Sequence, residues 1–217
     1  AGFLAFARLL ESPSAGARRS QAGRASSRLR IPFVSRASAA IAQTQVQLAM
    51  RTPRGRSIVL SPLIMFALAA VVVFRTGEMP FGAISLANGL GLATFGGAIA
   101  LLSIQPFAVN QFAIDRAGLT LALLSPIGAR QLLVGKALGL GLIAGGPAIL
   151  CALLAVVLVP GGSPAFWLSL LPAFVAAYGL AAPGAAMVSA LFLRFVDLNS
   201  VGRGSNTHTL ATFIGLV

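Results

Sequence analysis

Charged side chains are missing from four long stretches of the chain, residues 57–74, 79–109, 137–159 and 165–193. A helix rises about 1.5 Å per residue, so about 20 residues cross a hydrocarbon layer of about 30 Å. The pattern therefore predicts four spans, at about 57–75, 82–109, 137–159 and 165–193. Pro160, Gly161, Gly162, Ser163 and Pro164 separate the last two and predict a tight turn between antiparallel helices. A fifth apolar run, 208–217, reads as the start of a further span, and residues 2–11 read as the tail of an earlier helix. The expectation is an all-α, polytopic helical membrane protein, a segment of a longer chain.

Arg and Lys set the predicted orientation. Arg51, Arg54 and Arg56 precede the first span, and only Arg75, beside Glu78, follows it. Arg116, Arg130 and Lys136 lie between the second and third spans. The third and fourth are joined without charge, and Arg194 and Arg203 come after. Alternate loops are basic, which places Arg51, Arg54, Arg56, Arg130 and Lys136 at the inner leaflet, with the N-terminal side cytoplasmic. A bacterial inner membrane is the expected location.

Composition sharpens this picture. The chain is 57% hydrophobic and 9% charged, against about 25% charged in soluble domains. That excludes a water-facing globule, and the same apolar excess excludes disorder. The net charge of +12 is uneven: ten Arg against one Glu before Ser57, six basic against three acidic side chains after it. A basic flank leading into apolar spans suits membrane lipids as a partner better than nucleic acid. Residues 1–32 divide into the helix tail and a flexible, Arg-rich linker. Residues 33–56 predict a connecting helix at the membrane interface, with Val34, Ala37, Ile41 and Leu48 on one face. Gln45 interrupts that stripe, so a plain cytoplasmic helix remains the competing reading.

Candidate chemistry is sparse. Cys151 and His208 are each the single residue of their type, so no disulfide framework, metal cluster or catalytic triad can be assembled around them. No catalytic, cofactor or metal residue is assigned, and the chain is read as a non-enzyme. Gly135-Lys136 fails as a phosphate loop because Arg130 and Ala137 stand where Gly and Ser or Thr are needed. Gly89, Gly91, Gly96 and Gly97 fail as a dinucleotide fingerprint, lying inside a span. Gly135 with Gly139, and Gly141 with Gly145, have the spacing that lets helices approach closely. Asn88, Gln105, Trp167 and Tyr178 are the notable polar or aromatic groups of the spans. Tyr178 and Asn88 are candidates to line a pathway, with interfacial anchoring or helix-to-helix hydrogen bonding the commoner role of such groups. Pro106, Pro147, Pro172 and Pro183 are candidate kinks.

The stretch 110–136 is too long for a simple connection of about 2–8 residues. It predicts a short helix, then a second helix starting at Ser125-Pro126 and running through Arg130 and Lys136 into the third span. Its N-x-F-x-x-D-R-x-G, followed by L-L-S-P-x-x-x-R-x-L-L-x-G-K, resembles type-2, exporter-like ABC-transporter permeases, as does R-T-P-R-G-R-S-I-V-L-S-P-L at 51–63. The resemblance extends over about 33–200. It implies that 57–217 is a permease domain and that 33–56 is its connecting helix. A cytoplasmic coupling helix would contact an ATP-binding cassette subunit through Asn110, Phe112, Asp115, Arg116, Gly118, Leu119 and Leu123. ATP would be bound by that partner, and a second permease domain or a homodimer would complete the transporter. Such permeases have about six spans per half, and this chain departs from that with four and a fragment.

Other readings stand beside it. Asp115-Arg116 can be a surface ion pair, Gly118 a helix end, and Phe112, Leu119 and Leu123 can pack back on the membrane helices. At the level of the whole chain the competitors are a non-transporting anchor or scaffold with a basic lipid- or partner-binding arm, and an organellar protein with a transit peptide.

Overall fold

The structure, a computed structural model, describes residues 34–77, 80–81, 84–115, 124 and 126–191. Six helices and one minimal strand pair organise them: α1 (Arg36–Arg51), α2 (Pro53–Thr76), β1 (Pro80–Phe81), β2 (Ile84–Ser85), α3 (Gly89–Ala108), α4 (Gln111–Asp115), α5 (Ala129–Leu158) and α6 (Pro164–Leu191). Four of the helices, α2, α3, α5 and α6, are long and apolar enough to cross a membrane. The run at 208–217 lies outside the described residues. The antiparallel pairing of Pro80 with Ser85 and Phe81 with Ile84 was not anticipated from the sequence.

Local chemistry explains most helix ends. Pro53 begins α2 after Thr52, whose hydroxyl accepts from the Gly55 N–H at 3.3 Å. Gly77 ends it at φ 76°, a left-handed conformation that favours glycine, with its N–H on the Val73 carbonyl. The Asn88 side chain caps α3 by accepting from the Gly91 N–H. Between α5 and α6 the expected tight turn is present, with Gly161 and Gly162 at φ 147° and 85°. Trp167 Nε1 closes it by donating to the Gly161 carbonyl at 2.8 Å.

Two sequence expectations need correction. The third span's helix begins at Ala129, not at Ser125-Pro126, because Gly128 is extended and caps the helix without a side-chain hydrogen bond. The helix expected over 33–56 ends at Arg51, where Thr52 turns extended, and the face it packs against the rest of the protein is not the apolar stripe assigned to the membrane interface. Ser38, Ala42, Gln45 and Ala49 are buried, while Val34, Ala37, Ile41 and Leu48 are only half-buried. Small side chains decide the choice. They let α1 lie close along α5, where Cβ atoms added at Gly135 and Gly139 would come within 2.7 Å of Ile41 Cβ and Gln45 Cβ. Ser38 Oγ donates to the Gln131 carbonyl at 2.9 Å. Since Ser38 meets Gln131, Gln45 meets Gly139, and Ala49 packs with Leu140 and Ala144, α1 runs parallel to the first half of α5.

α3 runs antiparallel to α5, with Gly89 against the Val159 carbonyl and Gly96 against Cys151. Cys151 is thus a packed hydrophobe, as expected. Two apolar clusters fill the bundle. One joins Phe66, Leu92, Phe95, Cys151 and Ala155; the other joins Ile104, Phe107, Leu140, Ile143 and Ala144. The outside is apolar too: Leu60, Ile64, Leu68 and Phe74 on α2 and Leu168, Leu171, Val175 and Leu180 on α6 are exposed. A water-facing protein rarely shows contiguous apolar faces of that extent, and a bilayer covers them without cost.

Candidate functional site

Four buried polar side chains, Asn110, Gln111, Lys136 and Ser189, gather where α3 ends. Asn110 is fully buried, and its side-chain amide donates at 2.9 Å to the Pro106 carbonyl, one of the acceptors left open in the last turn of α3. Its Oδ1 is buried without a hydrogen-bond partner among the described residues. Gln111 then opens the short helix α4, and its carbonyl accepts from Lys136 Nζ at 2.8 Å. Lys136 itself is 1% exposed. Its ammonium stands 5.2 Å from the centroid of the Phe112 ring, within range of a cation–π contact. On the other side, the Phe112 N–H donates to Ser189 Oγ at 3.0 Å, and Ser189 is fully buried on α6.

These bonds fasten α4 to both α5 and α6. An ammonium taken out of water is tolerated only when hydrogen-bonded or otherwise compensated, and here a carbonyl and an aromatic face do so. The charge expected at the leaflet is therefore turned inward at Lys136. Helical spacing explains it: Leu132 and Leu140, four residues to either side, are also buried, so Lys136 shares the packed face of α5.

Beside this cluster lies a cavity of about 700 Å³ between α3, α5 and α6, with Gln111 and Phe112 at one side and Ile104, Leu140 and Tyr178 among its walls. Its size is typical of ligand pockets, about 300–1,000 Å³, and its lining is almost wholly apolar. The Tyr178 hydroxyl donates to the Ala137 carbonyl, and its ring lies on Gly141. Tyr178 thus makes a helix-to-helix hydrogen bond and also stands in the cavity wall. Asn88 is a helix cap and Trp167 a turn closure.

Of the expected docking residues, Asn110 and Phe112 come together with Lys136, but they face inward. Asp115 ends α4, and its side chain lies outside what is described, as do Arg116, Gly118, Leu119 and Leu123. Arg130 is exposed in the first turn of α5. Arg51 and Arg56 are exposed and Arg54 is half-buried at the junction of α1 and α2. Sequence reasoning missed Gln111, Ser38 and Ser189. No periodic signal marks a serine in an apolar helix as a bonding partner, whereas the spacing of Lys136 was available to be read. Among the described residues no cluster of His, Cys, Asp or Glu is arranged to hold a metal ion. No family model matches the chain, and no curated protein or solved structure is significantly similar to it.

Proposed function

We propose that the chain is the permease part of an ABC exporter-like transporter in a bacterial inner membrane, with its N-terminal side cytoplasmic. A separate ATP-binding cassette subunit would dock on residues 110–125, and a second permease domain or a second copy would complete the pathway. The observation that carries this reading is the fastening of α4 to two spanning helices through Lys136 and Ser189. A push on the residues that follow α4 then reaches α5 and α6 directly, because packed elements shift between discrete arrangements rather than deforming smoothly. The motif resemblance at 110–136 and the parallel seat of α1 on α5 add to it. In this reading closure of the ATPase moves α4, and the helices around the large cavity repack to open on the other side. An apolar cavity favours an apolar or amphipathic cargo.

The test is copurification of an ATPase with the full chain from its native membrane, followed by ATPase assays in vesicles. Reversing Asp115 and Arg116 together is expected to leave the protein inserted and to abolish stimulation of hydrolysis. Absence of any copurifying ATPase, or coupling that survives the double reversal, supports an anchor or scaffold instead.

A further inference from the structure

Three arginines, Arg51, Arg54 and Arg56, crowd the bend between α1 and α2, and neither helix contains an acidic residue. The extended backbone at Thr52 makes the bend, and Arg56 Nε crosses it to donate to the Met50 carbonyl at 2.8 Å. Next to this corner an open groove of about 250 Å³ runs between Val46 and Met50 of α1, Val59 and Leu63 of α2, and Leu142 and Gly146 of α5. Arg56, Val59 and Leu63 recur at three- and four-residue spacing, so one face of α2 carries a cation at its start and apolar groove wall beyond it. A Cβ added at Gly146 would meet nothing within 4 Å, so the groove is unfilled there.

We infer that this corner binds one anionic phospholipid, with its phosphate on Arg56 and Arg51 and a stretch of one acyl chain in the groove. A guanidinium has five donors in a fork that matches a phosphate, and the Met50 carbonyl uses only Nε of Arg56. Arg54, half-buried in the same turn, adds to the positive field. The groove is smaller than a typical ligand pocket, about 300–1,000 Å³, and so takes part of a chain rather than a whole small molecule. Val59, Leu63, Leu142 and Gly146 all belong to helices able to span a membrane, which puts the groove beside lipid and the arginines at the helix start, where headgroups lie. A free phosphate shares the headgroup chemistry but has no use for an apolar groove. The inference needs a membrane-spanning chain and does not depend on the transport reading.

Native mass spectrometry of the purified full chain tests it, with phosphatidylglycerol, phosphatidylcholine of the same acyl chains, and inorganic phosphate added in separate arms. Phosphatidylglycerol is expected to bind several-fold more tightly than phosphatidylcholine. Replacing Arg51 and Arg56 with Gln should reduce that preference by about fivefold per arginine. Arg75→Gln, at the other end of α2, should leave it unchanged. Gly146→Leu should weaken both lipids together by filling the groove. Equal binding of the two lipids by the wild-type chain overturns the inference. So does a preference that survives loss of both arginines, or displacement of phosphatidylglycerol by equimolar inorganic phosphate. If the double variant does not fold, the wild-type comparison and Gly146→Leu decide.

Discussion

Gly139 on α5 faces Gln45 on α1 so closely that a Cβ built on the glycine would lie 2.7 Å from Gln45 Cβ. One turn earlier, Gly135 stands in the same relation to Ile41 and to the Ser38 carbonyl. The residue that seemed to break the amphipathic stripe of α1 is thus at the centre of its buried face. A hydrophobicity count sees Gln45 as a defect; glycine spacing on the partner helix gives it a place.

Overpacking that contact is the first prediction. Gly139→Ala and Gly135→Ala each force α1 away from α5 and are expected to cost about 1–3 kcal/mol. Gly146→Ala and Gly179→Ala, which meet nothing within 4 Å, should stay close to wild type. Thermal unfolding of the detergent-purified chain checks this; equal midpoints for the two pairs would remove the close-approach argument.

The Lys136 ammonium and the Ser189 hydroxyl both hold α4, and their loss should show coupling. Lys136→Met leaves the Gln111 carbonyl without that donor, and a buried unsatisfied group costs about 1–3 kcal/mol. Ser189→Ala should cost about 1 kcal/mol. The double variant is expected to lose less than the two single losses combined, because α4 is already released after the first. Hydrogen exchange at residues 111–115 should rise in each single variant. Strict additivity with unchanged exchange would mean that the two side chains do not act on one element.

How far the fold could be read in advance follows from which forces leave a periodic trace. Four apolar stretches became four helices of spanning length because hydrocarbon solubility is a property of composition alone. The turn at 160–164 was legible for a similar reason, since Gly161 and Gly162 occupy conformations that other residues avoid. The start of α5 was misplaced because Ser125-Pro126 carries a good cap signal, and a local signal says nothing of the extended Gly128 that follows. The burial of Lys136 is hidden when the span is started at Ala137; with Leu132 and Leu140 included, helical spacing puts it on the packed face of α5. The bonds to Ser38 and Ser189 depend on which helices meet, and that is tertiary information a single helix does not carry.

Orientation is open to a direct test. In a Cys151→Ala background, a cysteine at Ser163, in the exposed turn before α6, should react with a membrane-impermeant reagent applied to intact cells. A cysteine at Ser125, four residues ahead of α5 in the sequence, should be spared. The reverse pattern would put residues 110–136 outside, where no cytoplasmic ATPase can reach them.

Phe112 separates an internal role from a docking role. Its ring sits beside the Lys136 ammonium, its N–H is bonded to Ser189, and it is only half-buried, with one side on the large cavity. Truncating a fully buried phenylalanine costs about 3–5 kcal/mol, and the cation–π contact is worth about 0.5–2 kcal/mol. For a half-buried ring, Phe112→Ala should therefore lower the stability of the isolated chain by about 1–3 kcal/mol, before any ATPase is added. Phe112→Leu should recover most of the packing and none of the cation–π term. If Phe112→Ala leaves the unfolding midpoint of the isolated chain unchanged but weakens copurification with an ATPase, the ring works at the docking surface. The expected result is the opposite order: α4 loosens first, and coupling fails because its attachment to α5 and α6 has gone.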